Sequence, residues 1–161
     1  MDVNGFKGPN SEARNGKQYD IRSFKVAKFS KGCAGNDING IGCVYQLPSY
    51  SPIKGGSEEM KKWDPNWNAI KIGDWANYNN YWAGAKKACD DIGMSLPNKS
   101  KLKSIYEAGK KDSSLGLPTS GWFLSSSEYS DYAAYVVNFN DGNTYNISKH
   151  TSNNKVLCVG D

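Results

Sequence analysis

The sequence predicts an α+β fold in which two helices pack on an antiparallel sheet. Three observations in its 161 residues carry this expectation. Apolar residues recur at three- and four-residue spacings between about residues 80 and 106, as one face of a helix requires. Short alternating runs separated by turn residues follow residue 120, as in a meander of strands. The helices precede the strands as a block, whereas a parallel sheet would interleave them.

The elements follow in chain order. "MDVNGFKGPNSEARNGKQYD" is rich in Gly, Asn and charge and reads as turns and loop. Ile21–Phe29 alternates apolar and polar and reads as a strand. A Gly/Asn loop, "AGNDINGIG", lies between Cys33 and Cys43, and the stretch after it is irregular apart from a short strand at Val44–Leu47. Ser57 followed by Glu58 and Glu59 marks the start of a short helix. The clearest helix spans Asn80–Ile92, with Trp82, Ala85, Cys89 and Ile92 on one face and Gly93 as its C-cap. Pro97 blocks its continuation. Asn98 or Ser100 then caps a second helix, with Leu102, Ile105 and Tyr106 inward and Gly109 closing it. "WFLSSSEY", "AAYVVNFN", "NTYNISKH" and "KVLCV" supply a four-strand meander, and Asp141-Gly142 makes a two-residue turn that sets Asn138 opposite Tyr145. Tyr135, Val137 and Phe139, and with them Trp75, Trp82 and Trp122, are expected in the core. The division is residues 1–56, an N-terminal segment with a strand and a cysteine loop, and residues 57–161, the helix-and-sheet domain.

Composition narrows the function. Hydrophobic residues make up 38% of the chain, but 5 Trp and 10 Tyr supply enough large rings for a core. The net charge of +4 is scattered as single or paired lysines. Phosphate binding needs basic groups clustered on one face, so nucleic acid is not the expected partner. No run approaches the ~20 apolar residues of a membrane helix, and there is no signal peptide. Either the chain is cytosolic, or a leader has been removed from it.

The four cysteines, Cys33, Cys43, Cys89 and Cys158, favour the second option. None sits in a Cys-x-x-Cys pair and His150 is the sole histidine, so the close Cys/His spacing of structural zinc is missing. Two disulfides, Cys33–Cys43 and Cys89–Cys158, are the reading adopted, and they place the protein in an oxidising, extracellular setting. Four free thiols in a reducing compartment are the alternative.

The second half, from "YWAGAKKACDDIGMSLPNKSKLKSI" through "GWFLSSSEYSDYAAYVVNFNDGNTY" to "KVLCV", resembles the bacterial C-type-lectin-like domains of the DUF1566 and Lcl group. The pattern comprises Cys89, Gly93, Leu96-Pro97, Leu102, Trp122, Ser125-Ser126-Ser127-Glu128, Phe139-x-Asp141-Gly142, Lys149 and Val156-x-Cys158-Val159, over about residues 70–161. It implies a C-type-lectin-like fold with a Cys89–Cys158 bridge. The opening "DVNGFKGPN" resembles the segment that follows the membrane helix of prepilin- and pseudopilin-like proteins, although "NGKQYD" departs from their Gly-x-Asp element. Together the resemblances imply the ectodomain of a pilin-like surface protein, attached to a membrane only through a helix removed from this chain.

Catalysis is not expected. Cys158, the cysteine nearest His150, sits in the apolar run "VLCV", which suits a structural bridge better than a low-pKa nucleophile. Asp90 and Asp91 are adjacent on a helix and point in different directions. Asp2, Asn4 and Asp20 lack the calcium-loop pattern, and no phosphate-binding Gly loop occurs. The catalytic cysteine constellation of sulfatase-modifying enzymes, which share the broad fold, is missing. So are the Glu-Pro-Asn, Gln-Pro-Asp and Trp-Asn-Asp motifs of calcium-dependent lectins. No metal or cofactor is expected.

What remains is recognition by side chains. Ser126, Ser127, Tyr129, Ser130, Tyr132, Asn138, Asn140, Asn143, Tyr145, Asn146, His150, Ser152 and Asn153 crowd the C-terminal segment. Tyr offers wide contact area at low entropic cost, and Ser and Asn offer adaptable hydrogen bonds, as in antibody paratopes. Retroelement-diversified lectin-like proteins have a similar look, because adenine mutagenesis of Asn codons yields Tyr, Ser, Asp, His and Asn. The bland alternative is that these residues form turns and solubilise a sheet face. The expected function is therefore a secreted or surface-displayed, adhesin-like module that binds a protein or glycan. The alternative is a structural pilin or pseudopilin subunit that contacts other pilin-like subunits.

Overall fold

A computed structural model describes residues 33–70 and 73–160. The strand expected at Ile21–Phe29, the pilin-like opening, and Asp2, Asn4 and Asp20 lie outside the described residues. The described residues divide into two compact units, 33–45, 92–94 and 160, and 46–70, 73–91 and 95–159.

In the first unit the expected cysteine loop is a hairpin. Strands β1 (Asn36–Ile38) and β2 (Gly42–Gln46) pair antiparallel, with Asn36 opposite Val44 and Ile38 opposite Gly42. Asn39-Gly40 in the turn is the signal that the loop reading passed over, and Gly40 supplies the required positive φ of 84°. The Cys33–Cys43 disulfide clamps the hairpin, with 5.6 Å between its Cα atoms.

The second unit opens with α1 (Glu58–Trp63), α2 (Pro65–Asn68) and a 3₁₀ turn at Trp75–Asn77. Ser57 stands at the N-cap position of α1, but its hydroxyl makes no capping bond. Met60, Trp67 and Ala83 bury with Ile53, and Trp63, Ile70 and Trp75 pack around them. Trp75 is thus half-buried at the rim of this cluster, not inside it.

Helix α3 covers Tyr81–Asp91. Asn80 sits just before it, and its Oδ1 accepts the Ala83 N–H at 2.8 Å, which satisfies a free donor of the first turn. Ile92 lies past the last turn and is exposed, so it does not extend the buried face. Gly93 has the left-handed φ of 75° expected where the helix stops. Helix α4 runs Lys99–Lys111, and Asn98 caps it by accepting the Lys101 N–H at 2.7 Å. Leu102 and Ile105 are buried as expected, and Tyr106 is half-buried. Gly109 does not close α4, which continues to Lys111. It is small because Leu117 packs on it, 3.2 Å from where a Cβ would stand.

Strands β3 (Trp122–Ser130), β4 (Ala133–Asn138) and β5 (Thr144–Ser148) form an antiparallel meander. Trp122 lies opposite Asn138 and Leu124 opposite Val136, while Val136 and Val137 face Tyr145 and Thr144 on the other side. The meander has three strands, not four. The last strand, β6 (Leu157–Gly160), is no part of it. The chain ahead of β6 instead makes a parallel bridge at Lys155, whose N–H donates to the Trp122 carbonyl at 2.8 Å.

The β4–β5 turn also differs from the two-residue reading. It has four residues, Phe139–Gly142, with Asn138 N–H donating to the Asn143 carbonyl at 2.9 Å. The cause is Phe139. Its ring is buried against Phe123 at 4.5 Å and Tyr106 at 5.6 Å, which draws it out of the ladder. Gly142 completes the turn at φ 77°, where a Cβ would collide with the Tyr106 ring. The β4–β5 register moves by two residues, so Tyr145 stays on the same face as Asn138. The Cys89–Cys158 disulfide forms as expected, with Cα atoms 5.4 Å apart.

Candidate functional site

The frame of the site is an ionic knot. Lys149 is fully buried, and its ammonium group donates to Asp64 Oδ2 at 3.0 Å, Glu128 Oε2 at 2.6 Å and the Asp131 carbonyl at 2.8 Å. A buried cation is tolerated only with such compensation. Asp64, buried as well, also accepts a hydrogen bond from Asn80 Nδ2 at 2.8 Å. Two ammonium groups stand over the Trp82 ring, Lys149 at 4.3 Å and Lys86 at 3.8 Å, and its N–H donates to the Ser125 carbonyl at 2.8 Å. Burial lowers the Lys86 pKa, an effect opposed by the Asp64 and Glu128 carboxylates. Trp82 is thus core, as its helical spacing predicts.

Strand β3 reaches this knot by bulging. Its register slips between Leu124 and Glu128 and again before Ser130. Ser125 absorbs the first irregularity, donating to the Tyr135 carbonyl at 2.8 Å and accepting the Ser127 N–H at 3.1 Å. Ser125 thus supplies the small hydrogen-bonding group that bridges the bulge.

Several residues expected to meet a ligand are engaged inside the fold. Ser127 Oγ accepts the Lys99 N–H at 3.1 Å, and the Ser126 N–H donates to the Pro97 carbonyl at 2.8 Å. Ser130 Oγ is buried without a partner among the described residues. Asn138 is buried, and its Oδ1 takes both the backbone and side-chain N–H of Asn140 at 2.9 Å to hold the turn. The Asn143 N–H donates to Asp141 Oδ1 at 2.8 Å, although the Asn143 side chain is exposed.

The others reach the surface in three groups. Tyr132 and His150 join Trp75 and Tyr78. The His150 ring stands 4.7 Å from Trp75 and 5.1 Å from Tyr78, and Tyr132 lies 5.5 Å from Trp75. Tyr129 is the most exposed large hydrophobic side chain among the described residues. It stacks edge-on against Tyr135 at 5.5 Å, and the Lys99 ammonium caps the Tyr135 ring at 3.8 Å. Tyr135 is half-buried, not core. Tyr145 forms the third group with Trp122, ring centroids 4.9 Å apart. Its hydroxyl donates to Asp141 Oδ2 at 2.9 Å. The Asn143 N–H, with a smaller contribution from Tyr145, holds the Asp141 carboxyl below its ordinary pKa.

Trp122 is the main departure from expectation, since 39% of it is exposed. Adjacent residues of a strand face opposite sides of the sheet, and Phe123 takes the buried position. A groove of about 410 Å³ runs beside Trp122, lined also by Gly121, Ile147, Thr151, Asn153, Asn154 and Lys155. Of these only Asn153 is among the residues expected at the site. Asn146 and Ser152 are exposed. A smaller cavity of about 280 Å³ near Gly84 is flanked by Lys87, which is already paired with Asp91 and Glu59.

A fold stapled by two disulfides that exposes clustered rings and amides is arranged for contact. Residues 56–159 match the family model InvE_AD, described as an adhesion domain, and the chain belongs to that family. No curated protein matches the chain. The domain is accordingly adhesin-like.

Proposed function

We propose that this protein is a non-enzymatic binding module, secreted or displayed at a bacterial surface, that attaches to a protein or glycan through its exposed aromatic and amide side chains. The carrying observation is the gathering of the exposed rings of Tyr78, Tyr132, Trp122 and Tyr145 into contacting groups, the first two around half-buried Trp75 and His150 and the last two with each other. Isolated exposed rings are ordinary on a protein surface, whereas clusters mark interaction sites. Trp and Tyr also dominate the energetic centres of interfaces. The disulfides support an oxidising location.

On this reading the fold is C-type-lectin-like, a proposal supported by the helix pair, the meander and the Cys89–Cys158 bridge. Display on a pilin-like stalk, and contact with other pilin-like subunits, rest on the sequence of residues 1–32 alone. Diversification of the surface rests on its Asn, Tyr and Ser content alone. The test is binding of the fluorescently labelled chain to cultured epithelial cells. Saturable binding, reduced at least about tenfold when Tyr78, Tyr132 and Trp122 are together replaced by Ser, is expected, because each central interface ring contributes roughly 1–2 kcal/mol or more. Unchanged binding by that folded variant would refute the surface assignment.

A further inference from the structure

The groove beside Trp122 has features that the general binding reading leaves unused. Its wall is an exposed indole, and Tyr145 holds that ring by contact from the far side of the sheet centre. Its lining carries the Thr151 hydroxyl and the Asn153 and Asn154 amides. Asn154 is buried, and its backbone carbonyl accepts the Tyr50 hydroxyl at 3.0 Å, which anchors the groove from below. Burial raises the pKa of that tyrosine to about 12. Lys155 is the one cation of the lining, and no carboxylate lines the groove. Its ammonium forms no ion pair among the described residues. The chain bends at Gly121 with φ 103°, and the Lys155 stem crosses that glycine, 3.1 Å from where a Cβ would stand. Any side chain at residue 121 would therefore push Lys155 aside.

We infer that this groove binds a pyranose sugar ring that carries a carboxylate, with the ring on Trp122 and the acid at Lys155. The inference rests on the binding-module reading above. The C–H face of a pyranose is weakly positive and complements the negative face of an indole. Hydroxyls around the ring need adaptable donors and acceptors, which amides and a threonine provide. The volume falls within the roughly 300–1,000 Å³ of small-ligand sites. An unpaired ammonium in a groove free of acids selects an anionic substituent. Uronates and sialates share this chemistry.

The test uses intrinsic tryptophan fluorescence and saturation-transfer NMR on the full chain, with methyl β-D-glucuronide, methyl α-sialoside and methyl β-D-glucoside as probes. At least one acidic glycoside is expected to saturate in the millimolar range, about two- to fivefold tighter than the neutral glucoside, the size of an exposed ion pair. The two acidic probes distinguish a uronate from a sialate. Trp122→Ala should abolish binding, Trp122→Phe should retain part of it, and Lys155→Met should erase the acid preference alone. Lys61→Ala, on the exposed face of α1 and outside the groove, should change nothing. No saturation by either acid, or equal affinity for acid and glucoside, would overturn the inference. Cell binding that persists while the acidic glycosides fail would sink this assignment and leave the adhesion reading standing. Glycoside binding without cell binding would do the reverse.

Discussion

Trp82 and Trp122 put one side chain to opposite uses. Trp82 is 3% exposed, its N–H is bonded to Ser125, and two lysine ammonium groups contact its ring. Trp122 is 39% exposed and rests on Tyr145, with an open groove beside it. The first ring joins α3 to β3 and the Lys149 knot. The second stands at the open end of a sheet face. The difference teaches that burial and exposure are separated here by residue, not by region, since both rings attach to the same strand.

The contrast predicts that changes around Trp82 alter stability and changes around Trp122 alter binding. The largest effect is expected from removing the Cys89–Cys158 bridge. Cys89→Ser with Cys158→Ser should lower unfolding free energy in urea by about 4 kcal/mol, because the bridge closes a long loop. Next comes Lys149→Ala, which leaves buried Asp64 without its cation and should destabilise by about 3 kcal/mol in the same measurement. Trp82→Phe should lose about 1–2 kcal/mol, since the buried Ser125 carbonyl loses its donor. The same change at Trp122 should cost less than about 0.5 kcal/mol, as for most surface substitutions. Equal losses at the two tryptophans would break the comparison.

The smallest effect concerns Asp141. Its carboxyl is held below the ordinary value of about 3.9 by the Asn143 N–H and, less strongly, by the Tyr145 hydroxyl. Its contribution is therefore fully present above about pH 4 and lost as pH falls through the depressed folded value. NMR titration of Tyr145 should show its ring signals moving only below about pH 4, and Asp141→Asn should remove that transition.

Much of the frame was legible in local chemistry. The helical spacing through Cys89, the Asn98 cap and the pairing of Cys89 with Cys158 all follow from periodicity and from residue types with few alternatives. The Lys149–Asp64 pair was not legible, because 85 residues separate the partners and only the folded chain brings them together. The exposure of Trp122 was obscured by a general preference for burying tryptophan, although the adjacent Phe123 already implied that one of the two must face away. The binding serines failed for a related reason. Ser125–Ser127 look like a polar surface in sequence, but the Ser125 hydroxyl bridges the bulge and the Ser127 hydroxyl accepts the Lys99 N–H. The groove was missed because Thr151, Asn154 and Lys155 meet Trp122 through a parallel bridge at Lys155, and no sequence periodicity marks such a bridge.

The Cys89–Cys158 link has a mechanical consequence. An attachment protein is loaded by pulling. Tension transmitted along the backbone would pass from one sulfur to the other and bypass everything between them. Trp122, Tyr145 and Lys155 all lie inside that covalent shortcut. The groove would keep its shape under load for as long as the bridge holds, even while chain outside it is stretched.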